Sequence, residues 1–153
     1  MDELDVRQEI MKTLILLSLF LAGHLFAQTT TVSIIQLIAN PEKYDGKVVR
    51  FEGATNIEFE GNGIYLSKEH RKAHVQSFAI WMDLTAEQAK GRKWLNGNYC
   101  IVEGTFHAAD RGHMGLYMGS LSDITMFNLR EPMSPNEAKK LQEEAEQDAP
   151  SNR

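Results

Sequence analysis

The sequence predicts a mainly β domain, a small closed barrel of five strands with a short helix ahead of it and another between the third and fourth strands. Three observations carry this reading. First, two stretches echo each other, Gly46-Lys47-Val48-Val49-Arg50-Phe51-Glu52-Gly53 and Gly97-Asn98-Tyr99-Cys100-Ile101-Val102-Glu103-Gly104. Second, each follows a turn signal, Asp45-Gly46 or Asn96-Gly97, and runs on as a strand into Glu-Gly. A glycine inside a strand marks the bulge or sharp coil that lets one strand serve two sides of a barrel. Third, helix signals stand where such a barrel carries helices: an apolar stripe over Val32–Ile38 and a capping box at Thr85-Ala86-Glu87-Gln88.

A chain of 153 residues suits one domain with its own core. The net charge of −5 is uneven: residues 28–130 hold 11 basic and 11 acidic side chains, so the acidity sits at the two ends. A neutral body has little general attraction for phosphate backbones, which counts against nucleic acid as a partner. The single cysteine, Cys100, permits no internal disulfide and no thiolate metal cage. Its place in an alternating strand reads as a small buried hydrophobe.

Residues 1–10 are acidic and unlike an export signal, so they read as an over-extended start. From Met11 the order changes to Lys12, an apolar run over Leu14–Phe20 and a small residue at Ala27, the pattern of a secretory signal peptide over 11–27. Export to the periplasm is the expectation, with no stable membrane anchor after cleavage, since no cysteine follows the apolar run. The domain proper is then 28–130. Ser33 caps the first helix and Pro41 is expected to stop it. The first strand puts Val49, Phe51 and Gly53 on one face and Arg50 and Glu52 on the other, with a possible run to Phe59 before the Glu60-Gly61-Asn62-Gly63 hairpin loop. Ile64-Tyr65-Leu66 begins the second strand, and a polar, cationic loop or helical turn covers 67–77. Phe78, Ile80, Met82 and Leu84 alternate as the third strand. Gly91 is expected to end the helix that follows. After the second echo comes a loop with two glycines over 109–115. The fifth strand, over Leu116–Phe127, is expected to bend at Gly119 and to bulge between Leu121 and Ile124. Beyond Arg130 the segment 131–153 is acidic and nearly stripe-free, and reads as frayed helix or disorder.

This order of elements resembles the OB-fold, a five-stranded Greek-key barrel. The stretch VSIIQLIANPEKYDGKVVRFEGATNIEFEGNGIYLSKE, with GNYCIVEGTF, GHMG and SDIT, also resembles a bacterial family of small exported proteins of uncharacterised activity, over roughly residues 32–127. That resemblance implies a fold and carries over no catalytic residues. Some exported OB-fold proteins of similar layout are stress-associated binding proteins, an analogy of architecture alone.

In OB barrels the loops joining strands one to two and four to five flank the binding face, and here these are 58–63 and 109–115. The residues selected for ligand contact are Arg50, Tyr65, Trp81, Arg111 and His113. Aromatic rings on such a face stack on bases or sugars, whereas the plainer reading has Tyr65 and Trp81 packing under a loop or helix. His70 and His74, four apart, would share a helical face and with His107 and His113 offer a metal site, but no carboxylate stands at ligand spacing. Glu52 and Glu103 recur at equivalent strand positions, either as a carboxylate pair or as matched solvent-facing residues. Two basic runs, Lys68/Arg71/Lys72 and Lys90/Arg92/Lys93, permit one patch for an anionic partner if the fold joins them. No triad order, phosphate loop or paired-acid motif stands out. The expectation is an exported binding or interaction module for a small ligand or protein, with no cofactor, no metal and no catalytic site. A nucleic-acid-binding OB domain is the first alternative. A metal-dependent enzyme using His107 or His113 is the second.

Overall fold

In the computed structural model the chain enters through a two-residue strand, Thr30–Thr31 (β1). Five strands follow: Val48–Asn56 (β2), Gly63–Tyr65 (β3), Ala79–Met82 (β4), Tyr99–His107 (β5) and Ser120–Leu129 (β6). The described residues are 28–147 with Arg7, Met11 and Lys12, so the expected start and signal segments lie almost wholly outside them. The strands pair in the order β2-β3-β4-β6-β5, and β5 returns to pair with β2, which closes the barrel. All these pairings are antiparallel except β4 with β6. This is the OB-fold-like Greek-key barrel that the sequence predicts, with β1 added in parallel beside the start of β2. The polar lead-in before Val32 is therefore a strand as well, filling the edge of β2 that β3 does not reach.

The two echoing stretches are neighbours. β2 and β5 run antiparallel from Val48 opposite Thr105 to Ala54 opposite Tyr99, with Arg50 facing Glu103. Their turn glycines, Gly46 and Gly97, sit at φ of +68° and +79°. Alternation in β5 is strict: Cys100, Val102 and Phe106 point into the core while Tyr99, Ile101, Glu103 and Thr105 are half-exposed. Burial pushes the Cys100 thiol up to about 11, so it behaves as the small hydrophobe expected. The expected bulge in the last strand is present. Glu103 faces Met126 and Thr105 faces Ser122, so three residues of β6 oppose Gly104 alone, and Asp123 turns to φ of +47° there.

Ile34–Ala39 (α1) seals one barrel end with Ile34 and Leu37, and Ser33 with Gln36 forms a complete capping box. Pro41 stops this helix as expected, with Asn40 leaving the helical region at φ of −141° and ψ of 57°. It also starts a second one, Pro41–Tyr44 (α2), because an opening helical position needs no N–H donor. Lys68–Lys72 (α3), capped by Ser67, occupies the polar 67–77 segment. Ala86–Lys90 (α4) carries the expected Thr85–Gln88 capping box between the third and fourth barrel strands. Gly91 follows it at φ of −66°, an ordinary helical angle, so no left-handed stop is used. Pro135–Gln147 (α5), capped by Ser134 and Glu137, is helical through the described part of the acidic tail.

Several apolar positions differ from the alternation read in the sequence: Leu84 lies beyond the end of β4, Leu116 ahead of the start of β6, and two phenylalanines leave their strands. β2 ends at Asn56, so Phe59 stands outside the strand and is 93% exposed. Phe78 lies in a 3₁₀ turn over Gln76–Phe78, which rotates it away from the interior that Ile80 and Met82 enter. Past Gly53 every residue of β2 is buried, and its polar groups are met. Thr55 donates to the Leu95 carbonyl at 2.6 Å. Asn56 donates to the Gly61 carbonyl at 2.9 Å and accepts from Arg71 at 3.2 Å. The base of the 58–63 loop is thus tied to α3 by part-buried hydrogen bonds.

Candidate loop-rim binding site

Successive residues of β3 and β4 point to opposite sides of the sheet. Ile64, Ile80 and Met82 enter the barrel core, while Tyr65 and Ala79 form a second buried cluster with Tyr117, packed against Trp81. Tyr117 comes from the loop between β5 and β6. Its ring meets Tyr65 edge-on at 6.4 Å and Trp81 at 5.2 Å. Gly63, opposite Trp81 in the ladder, leaves the space Tyr117 uses: a Cβ there would lie 2.8 Å from its ring. Burial raises the pKa of both phenols, so both stay protonated across the physiological range. Tyr65 and Trp81 therefore pack beneath the 109–119 segment, the plainer of the two readings of these rings.

That segment is fastened at several points. Met118 donates its N–H to the Ala79 carbonyl at 3.0 Å, and Trp81 donates to the Gly119 carbonyl at 2.9 Å. Asp110 accepts from Ser120 at 2.7 Å and then from the Gly112 N–H at 3.0 Å, contacts that hold its carboxyl below the usual range. Arg111 spends its guanidinium inside the loop: Nε donates to the Tyr117 carbonyl at 2.9 Å and Nη2 approaches the Met118 sulfur at 3.0 Å. Arg111 is thus a strap of the loop. His113 lies over Trp81, ring centres 6.4 Å apart, and its Nε2 is 3.7 Å from a Glu60 carboxylate oxygen. This contact links the 58–63 and 109–119 loops.

Around that link the surface is apolar and acidic together. Phe59 is 93% exposed, Met114 79% and Leu116 49%. Glu58 and Glu60 flank Phe59 in sequence, and both are exposed. Glu60 and Met114 hold positive φ, +58° and +57°, two of the four non-glycine residues that do so among those described. Such conformations gather where loop shape matters more than local comfort.

Four of the five residues selected from the sequence, Tyr65, Trp81, Arg111 and His113, meet in this one region. Arg50 does not. It stands on the outer face of β2, where Nη2 and Nε contact Glu103 at 2.6 and 2.9 Å and Thr125 donates to the other Glu103 oxygen at 2.9 Å. Glu52 takes Arg130 at 3.1 Å. The two glutamates of the echo are thus partners of separate arginines. The Arg50 contact, then Thr125, holds the Glu103 carboxyl below the usual range. A depressed folded value contributes stability that is full above the unfolded pKa, near 4.3, and lost as pH falls through the folded one. The melting temperature of the wild type is therefore expected to fall more steeply below about pH 4 than that of Glu103→Gln. Parallel pH profiles would refute this.

The histidines are dispersed. His70 contacts Ser67 at 2.9 Å, His107 contacts Ser122 at 2.8 Å and His113 faces Glu60. Among the described residues, no three His, Cys, Asp or Glu side chains gather where a metal ion would sit, and no helix is long and apolar enough to cross a membrane. In the basic runs, Lys68 stands over the Tyr99 ring, Arg71 bonds Asn56, and Arg92 bonds the Gln88 carbonyl and lies over Phe127. Phe59, Met114, Leu116 and Tyr117 were not selected from the sequence; the Glu-Phe-Glu-Gly hairpin tip was the one signal that could have pointed to the first. No protein-family model matches this chain, no curated protein matches its sequence, and no solved structure matches it.

Proposed function

We propose that the protein is an exported binding module, without catalysis of its own, whose contact surface is the rim formed by the 58–63 and 109–119 loops. The observation that carries this is the joint exposure of Phe59, Met114 and Leu116 on two loops held together by Glu60 and His113. Large apolar side chains grouped on a fastened surface are the usual mark of a protein contact. Glu58 and Glu60 set the sign of the partner: a peptide segment presenting an apolar side chain flanked by Lys or Arg. The same carboxylates oppose a phosphate backbone, which weighs against the nucleic-acid alternative. The cation, apolar core and small residue over 11–27 support export, to the periplasm in a cell with an outer membrane.

Peptide display against the purified chain tests the reading. Selected peptides are expected to combine a large apolar residue with neighbouring Lys or Arg, and to bind Phe59→Ser/Met114→Ser at least about tenfold more weakly. Peptides that bind the double variant as well as wild type would remove the rim as the contact surface. Tight, steeply salt-dependent binding of single-stranded DNA would favour the nucleic-acid alternative.

A further inference from the structure

A cavity lies away from the loop rim, between the start of β5, the first turn of α3 and the segment that leads into α5. It measures about 280 Å³ and is lined by Lys68, Tyr99, Arg130, Glu131, Met133 and Glu137, among others. That volume lies close to the smallest small-molecule sites, which run from roughly 300 Å³ upward, and suits one compact metabolite.

Both signs of charge line the cavity. Two cations come from the barrel side: Lys68, whose ammonium stands 5.5 Å from the centre of the Tyr99 ring, and Arg130. Arg130 forms an ion pair with Glu52, Nε standing 3.1 Å from the carboxylate, and its side chain is half-exposed. Two carboxylates come from the tail, Glu131 and Glu137. Ser134 bonds one Glu137 oxygen and holds that carboxyl below its usual range, so it stays anionic. The Tyr99 ring and Met133 supply apolar wall between them.

The geometry points to a site for a zwitterion, a free α-amino acid with an apolar side chain. Its carboxylate would face Lys68 and Arg130, its ammonium Glu131 and Glu137, and its side chain Tyr99 and Met133. A purely anionic ligand would meet the tail carboxylates, and a purely cationic one would meet Lys68. Only a molecule with both charges is complemented on both sides. This site stands independently of the loop-rim reading.

The test is a titration of the full chain with L-leucine, followed by amide chemical shifts. Isocaproate lacks the ammonium and isoamylamine lacks the carboxylate. Saturable shifts confined to Lys68, Tyr99 and 130–137 are expected with leucine, and binding at least about tenfold weaker with either analogue. Lys68 is exposed, so Lys68→Met should melt as wild type does while binding leucine at least about tenfold more weakly. Glu131→Gln, also at an exposed position, should do the same from the other wall. Absent or unsaturable shifts, equal binding of the analogues, or wild-type affinity in both variants would overturn the proposal.

Discussion

Replacing Gly53 with alanine is expected to destabilise the barrel by about 3 kcal/mol and to lower its melting temperature by about 10 °C or more. A Cβ at this position would stand 2.5 Å from the Tyr65 carbonyl oxygen, 2.7 Å from Ile34 Cδ1 and 2.8 Å from Ile64 Cγ1. The Ile34 end can yield by changing rotamer, while Ile64 Cγ1, bonded to Cβ in a fully buried residue, has less freedom. The carbonyl cannot yield, because it belongs to β3, which pairs with β2 from Ala54 opposite Tyr65 onward. Relief requires opening that ladder or withdrawing α1, whose Ile34 and Leu37 are both buried. Gly91→Ala is the internal control. Its φ is −66° and its nearest neighbour, the Glu87 carbonyl, is 3.6 Å from the new methyl. That change should be neutral or stabilising by about 0.5 kcal/mol, through a less flexible unfolded chain. Thermal and urea melts of the two variants decide the matter. A Gly53→Ala protein melting within about 2 °C of wild type would mean that β2 and β3 adjust freely.

The same close approach recurs in the second echo, where a Cβ on Gly104 would lie 2.5 Å from the Ser122 carbonyl oxygen. These glycines were legible because a strand that alternates and then reaches glycine has a local pattern. Their pairing was not, since register across a closed barrel depends on contacts far apart in the chain. The capping boxes were legible for the opposite reason: each is complete within four residues. Pro41 ends the first helix as read, with Asn40 outside the helical region at φ of −141°, and only the second helix that Pro41 opens was not legible, because proline both stops the helix before it and can lead a new one. β1 escaped because Thr30-Thr31 is too short to show alternation, and only its parallel contact with β2 makes it a strand.

For the site, strand parity gave the correct side for Arg50 and an incorrect neighbourhood. Parity separates inside from outside, but a barrel's exterior runs all the way round. Arg50 lies on the β2–β5 sector, and Trp81 on the β3–β4 sector. Tyr65, Trp81, Arg111 and His113 converge because the loops of this topology return to one end of the sheet. Phe59 was hidden by its own chemistry. An aromatic residue between two glutamates reads as the inward position of a strand, and only the end of β2 at Asn56 makes it a loop tip.

Gly112→Ala is expected to act on that loop and to spare the barrel. Gly112 holds φ of +61° and ψ of −154°, a region essentially reserved for glycine, so a side chain costs about 1–3 kcal/mol before any contact is counted. The added methyl would also stand 2.4 Å from Trp81 Cγ. The indole has little room to retreat, with Tyr117 packed edge-on at 5.2 Å and His113 on its other contact. The loop must therefore lift from Trp81, and His113 moves away from Glu60 with it. None of the pairings of β4, β5 and β6 uses Gly112, so the closed sheet has no reason to open. In a Trp94→Phe background, Trp81 emission should shift to the red and become accessible to acrylamide, while the far-ultraviolet circular dichroism holds. Peptides selected on the wild type should bind at least about tenfold more weakly. Unchanged emission would show that the loop does not depend on Gly112. Changed emission with unchanged peptide affinity would separate the loop's packing from recognition and leave Phe59 as the principal anchor.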